Sequence, residues 1–167
     1  DIVGFYLATP MFNYVKEYFD YIKSKSAKIF IIVGGPHPSA LPNETLEECK
    51  NIDAAIVGEA EKTIVEFLNA KKNNAPLDGI KGLIFRKNNT VVYNGHRELI
   101  DNIDDISFPA YHLLPMDKYH FNQENIYNLK SFSMMTSRGC PLLCTYCSHS
   151  VFGRKLRVRS NNNILQE

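Results

Sequence analysis

Runs of apolar residues alternate with stretches of helical period along the first half of the chain. Ile2–Leu7 reads as a buried strand. Thr9-Pro10 then suits a helix start, with Thr at the cap and Pro at the first helical position. Met11, Tyr14, Val15, Tyr18, Phe19 and Ile22 follow at helical spacing, with Lys16, Glu17, Lys23 and Lys25 elsewhere on the surface. Ile29–Val33 is the clearest strand and ends abruptly in Gly34-Gly35-Pro36-His37-Pro38. A short helix is predicted over 43–50, with Leu46 and Cys49 facing inward. A short buried strand follows at Ala54–Val57, and then a helix carrying Ile64, Val65, Phe67 and Leu68 that ends near Asn69. Three rounds of strand and helix predict a partial doubly wound parallel sheet of the α/β class, with helices on both faces and an unpaired edge strand.

The pattern changes after Ala75-Pro76. Gly82–Arg86 and Thr90–Tyr93 flank Asn88-Asn89, a hairpin signal, because Asn tolerates the positive φ of a tight primed turn. Residues 99–119 show little periodicity and read as an ordered linker. Ser131–Thr136 is predicted as a last strand that delivers the chain to Cys140, and 161–167 as the start of a helix.

Composition narrows the class. The 167 residues are 44% hydrophobic and 22% charged, a globular balance. Nineteen Lys and Arg against eighteen Asp and Glu give a net charge of +1, which argues against a grip on nucleic acid or a membrane surface by bulk charge. The apolar runs are far short of the roughly 20 residues a bilayer span needs. The opening residues do not read as a signal peptide. It begins on Asp, and the expectation is a piece of a longer protein.

Three of the four cysteines, Cys140, Cys144 and Cys147, form a C-x3-C-x2-C array. In a reducing, cytoplasmic setting such clustering points to metal rather than to disulfides. Thiolates are soft ligands for Fe–S clusters and zinc. A 4Fe–4S cluster usually takes four cysteines, so three leave an iron open to a chelating substrate. The alternative is a non-catalytic α/β binding module whose zinc is held by Cys140, Cys144, Cys147 and His149. Cys49 stands alone and reads as a small buried hydrophobe.

Other candidates are weaker alone. Gly34-Gly35 and Gly58-Glu59 end two strands at one sheet edge, where open α/β sheets bind ligands. Tight turns, and a first-turn carboxylate at Glu59, are the structural counterparts. His37 reads either as a ligand contact or as a histidine hydrogen-bonded in a turn. Arg154, Arg157 and Arg159 fit a carboxylate or phosphate, or a solvated face. His96, His112 and His120 have no partner pattern, and no catalytic acid or base stands out.

Thr136–Cys147, with Tyr146 immediately before the last cysteine, resembles the cluster loop of radical S-adenosylmethionine enzymes. Val33–His37, Ala40–Pro42 and Val57–Glu61 resemble the second half of the cobalamin-binding domain in front of many of them, and Asp104–Tyr111 resembles the connector between. In style the chain is similar to anaerobic magnesium-protoporphyrin monomethyl ester cyclases and related methyltransferases. The resemblance implies that Cys140, Cys144 and Cys147 hold a 4Fe–4S cluster. The open iron is then chelated by S-adenosylmethionine, with Tyr146 beside the adenine, and a 5′-deoxyadenosyl radical serves methyl transfer, oxidation or cyclisation of a small molecule. It implies an electron donor such as flavodoxin or ferredoxin, and cobalamin near Thr9, Gly34, Gly35, His37, Gly58 and Glu59. Tyr6 stands where the family often has Ser or Thr. The implied organisation is a flavodoxin-like cobalamin-binding half over 1–75, a hairpin and connector over 76–130, and the first strand of a radical S-adenosylmethionine barrel with its cluster loop over 131–167. By itself this stretch is expected to be inactive.

Overall fold

The computed structural model describes residues 1–118 and 133–167. Five strands form one sheet in the order of the chain: β1 (Ile2–Tyr6), β2 (Phe30–Gly34), β3 (Ala54–Ile56), β4 (Leu83–Lys87) and β5 (Thr90–Tyr93). The first three are parallel, with Ile2 opposite Phe30 and Ile32 opposite Ala54. The expected hairpin forms at Asn88 and Asn89, both at positive φ (49° and 64°). It extends the same sheet, because β4 runs antiparallel to β3, with Ala54 opposite Phe85. The sheet is therefore mixed rather than wholly parallel.

The period-2 geometry of a strand sends alternate residues to opposite faces. Ile31, Val33, Ala55, Val57 and Ile84 join one core with α1 (Phe12–Lys25) and α3 (Pro42–Glu48), whose Phe12, Val15, Phe19 and Leu46 cover that face. Ile32, Ala54, Ile56, Leu83 and Phe85 join a second core with Phe67 of α4 (Glu61–Lys72). Both faces of the central strands are buried, which explains their continuous apolar runs. Cys49 lies in the first core, as expected of a small hydrophobe.

Local departures have local causes. Thr9 does not cap α1: Thr9–Met11 form a single 3-10 turn, and the Thr9 hydroxyl meets the ring of His37 instead. Pro36–Ala40 is a short helix, α2, where the sequence reads as a turn; Pro at its first position pre-sets φ. Helix α4 runs past Asn69 to Lys72, where two lysines face the negative helix end.

Of the strand expected over 131–136, residues 131 and 132 lie outside the described residues, as does His120, and 133–136 are not strand. The pairing falls later, between β6 (Ser137–Arg138) and antiparallel β7 (Arg157–Val158), which place Arg138 opposite Arg157. Helix α5 (Asn161–Gln166) follows, capped by Ser160, whose hydroxyl accepts from Asn163 N at 3.1 Å. Among the described residues no helix is long and apolar enough to cross a membrane.

Phe19 is wholly buried and meets Phe5 edge-on at 5.0 Å, whereas Tyr18 beside it is 62% exposed. Phe19→Ala is expected to cost about 3–5 kcal/mol in urea unfolding, and Tyr18→Ala to stay within about 0.5 kcal/mol.

Candidate functional site

Parallel strands β1 to β3 bring three loops to one carboxyl-end edge. These loops are tied to each other through their backbones. Leu7 N donates to Gly34 O at 2.7 Å, and His37 N donates to Leu7 O at 3.0 Å. Gly35 sits at φ 110°, where a Cβ would lie 3.0 Å from Leu7 O and from the Tyr6 ring. Glycine is required there on both counts. The Cβ position of Gly34, in contrast, faces open space. Ser39 joins the second and third loops: its hydroxyl donates to Gly35 O at 2.8 Å and accepts from Gly58 N at 2.9 Å. Nothing in the sequence singles out Ser39; its role depends on a loop nineteen positions away.

His37 is 4% exposed, with Nδ1 3.2 Å from Thr9 Oγ1 and its ring against Phe12 at 4.2 Å. It sits in α2 and is hydrogen-bonded across to the loop after β1. Its Nε2 is buried without a protein partner.

The cysteine loop folds back over this edge. Its base is the β6–β7 pair, with Cys140 N donating to Gly153 O at 3.4 Å. Gly139, at φ 83°, passes so close to Lys155 that a Cβ would lie 2.1 Å from the carbonyl oxygen. Cys140 and Cys147 are exposed and Cys144 half-buried, all three as free thiols. Among the described residues, no three His, Cys, Asp or Glu side chains are drawn together as a metal-holding group. Tyr146 is 91% exposed.

The loop and the edge flank one open cavity of about 450 Å³. Thr9, Pro36 and Ala40 line it from the sheet side, and Cys140, Cys147 and His149 from the loop. Arg138 also lines it and reaches Glu59, which in turn pairs with Arg157 of the basic stretch. Arg157 is 4% exposed rather than on a solvated face, and its Nη1 bonds both Glu59 oxygens, at 2.8 and 3.0 Å. Arg138 Nη1 reaches Glu59 Oε1 at 3.1 Å, and its Nη2 reaches Glu61. Arg159 pairs with Glu167, and Arg154 donates to Leu142 O at 3.2 Å. Arg138, Arg157 and Arg159 are thus each paired with a carboxylate, whereas the exposed Arg154 has only that carbonyl among the described contacts. Burial disfavours the charged form of Glu61, but the bond from Arg138 and the nearby Arg157 charge outweigh it and hold the carboxyl below its usual value.

Residues 1–68 match the family model of the B12 binding domain. This stretch is a B12 binding domain. The B12 binding domain and the residues after it are also similar to longer proteins. An uncharacterized methyltransferase of Pyrococcus horikoshii is 37% identical over the full chain, and an anaerobic magnesium-protoporphyrin IX monomethyl ester cyclase of Synechocystis is 26% identical over 88% of it. The chain spans 36% and 28% of the length of these two relatives. Solved structures share the fold. The cobalamin-dependent S-adenosylmethionine radical enzyme OxsB superposes on 99% of the chain with a TM-score of 0.75 at 22% identity, covering 22% of that protein. The radical S-adenosylmethionine methyltransferase TsrM of Kitasatospora setae does so with a TM-score of 0.71 at 18% identity, covering 33% of it.

Within the B12 binding domain, burial lowers the pKa of His37 below its ordinary 6.5, against an opposing pull from Glu48. The unfolded chain therefore takes up this proton first on acidification. Stability is expected to fall as pH drops from about 6.5 towards the folded-state value. His37→Gln removes that part of the slope, as read by thermal melts across the pH range.

Proposed function

We propose that the chain supplies the cobalamin-binding edge and the cluster loop of a cobalamin-dependent radical S-adenosylmethionine enzyme. The observation that carries this reading is the shared cavity: the carboxyl edge of the B12 binding domain and two cysteines of the C-x3-C-x2-C loop line one space. The donor set suits the group, since Cys140, Cys144 and Cys147 are soft ligands free of disulfides on one short loop.

When bound, a 4Fe–4S cluster with S-adenosylmethionine on its open iron supplies a 5′-deoxyadenosyl radical, and cobalamin supplies methyl-group chemistry. The residues of this chain bind and orient. Cys140, Cys144 and Cys147 would hold three of the cluster's irons, and Tyr146 would lie beside the adenine. Thr9 and Gly34 leave room for the cobalamin edge, with Gly35, His37 and Gly58 shaping the loops around it. The reaction is methyl transfer, oxidation or cyclisation of a small molecule in the cytoplasm, driven by an electron donor of the flavodoxin or ferredoxin type. A Cys3His zinc site is the competing reading, and one observation favours it: the Nε2 of His149 is buried without a protein partner in the cavity that Cys140 and Cys147 line.

After anaerobic reconstitution of the full-length protein, iron and sulfide are expected at about four each per chain. Cys144→Ala then loses the cluster's visible absorption. One zinc without sulfide, or absorption that survives the substitution, contradicts the reading. Cobalamin is expected to remain on the full-length protein through gel filtration. Gly35→Val, which drives a side chain into Leu7 and Tyr6, is expected to release it.

A further inference from the structure

Glu59 is 6% exposed and stands at the carboxyl end of β3, where a contact to a ligand is expected. Its carboxylate is fully used inside the protein. Oε2 accepts from Ile100 N at 2.7 Å, and Arg157 Nη1 and Arg138 Nη1 converge on Oε1. Those two arginines are partners across the β6–β7 ladder, one on the strand entering the cysteine loop and one on the strand leaving it. A single carboxylate thus grips both roots of the loop. Other contacts follow from that grip. Arg157 also donates to Ile100 O at 2.7 Å and Phe152 O at 3.0 Å. The Arg138 guanidinium lies 5.1 Å from the Phe152 ring, which lines the cavity. Val151 O comes within 3.8 Å of the Cβ position of Gly58, so the loop lies directly on the third sheet loop.

We infer that Glu59 is a positioning residue that clamps the cysteine loop onto the edge of the B12 binding domain, rather than a contact to cobalamin. That the clamp thereby sets the place of a cluster relative to cobalamin rests on the proposed function; the clamp itself does not. Two acids, Glu59 and Glu61, face two arginines, so removing one carboxylate leaves a buried guanidinium short of a partner. The exposed Lys155–Asp101 pair on the same loop contributes little by comparison.

Hydrogen exchange on the full-length protein tests the clamp without any cofactor. In Glu59→Gln, exchange over 137–158 is expected to rise roughly tenfold or more, while β2 keeps its protection. Glu59→Asp, which keeps the charge, recovers part of the loss, and Lys155→Ala changes nothing. An unchanged loop, or a rise shared equally by β2, overturns the inference. Should Glu59→Gln not fold, Arg138→Gln, which leaves the Glu59–Arg157 pair intact, is read by the same criteria. Titration with aquocobalamin separates the two roles of the carboxylate. A clamp predicts that Glu59→Gln and Arg157→Gln shift the dissociation constant by the same factor and that the double variant shifts it no further. A loss with Glu59→Gln roughly ten times that of Arg157→Gln assigns the carboxylate to the cofactor and overturns the inference. If aquocobalamin binds to no form while the exchange result holds, the cobalamin reading fails and the clamp stands.

Discussion

A carboxylate removed from water must be matched by charge and hydrogen bonds, or it does not stay ionised and buried. Glu59 meets that condition only when strands from the far end of the chain bring Arg138 and Arg157 to it, 79 and 98 positions away in sequence. The requirement runs both ways, because the buried Arg157 has no other acid within the described ion pairs. Replacing such a cluster with apolar residues is often neutral or stabilising, so its value here is better sought in geometry than in stability. An apolar patch permits the loop to slide; a guanidinium on a carboxylate fixes direction as well as distance.

That constraint gives the sheet edge its meaning. Parallel strands with both faces covered leave their carboxyl ends as the accessible edge. Gly35 removes a side chain where two loops cross, and Ser39 ties the third loop to the second. The clamp then lowers a loop bearing three thiols onto this prepared surface. The cavity between them is a consequence of three separate features: glycine where a Cβ would collide, a buried hydroxyl bridge, and a buried ion cluster.

Much of this was legible in the sequence wherever the governing interaction is local. Strand and helix periods located β1 to β3 and α1, α3 and α4, and Asn88-Asn89 located the hairpin through its need for positive φ. The soft-ligand chemistry proposed for the cysteine loop rests on spacing alone and owes nothing to the fold. What stayed hidden depends on distant partners. Periodicity cannot tell that the hairpin joins β3 instead of standing apart, since only the antiparallel register with Ala54–Ile56 decides it. A run such as Arg154–Arg159 looks solvent-facing until one strand turns Arg157 inward. Thr9 reads as a cap, yet a histidine twenty-eight positions on claims its hydroxyl. Glu59 reads as a ligand contact because its strand end is right, and only the arginines opposite reveal it as spoken for.

The cysteine loop and the B12 binding edge face each other across one small cavity. Electron paramagnetic resonance on the full-length protein carrying both groups tests it directly. With cobalamin in its paramagnetic Co(II) state, reduction of the cluster is expected to broaden or split the cobalt signal through magnetic coupling of the two centres. Two superimposed, unperturbed spectra, as from centres held far apart, would contradict the account.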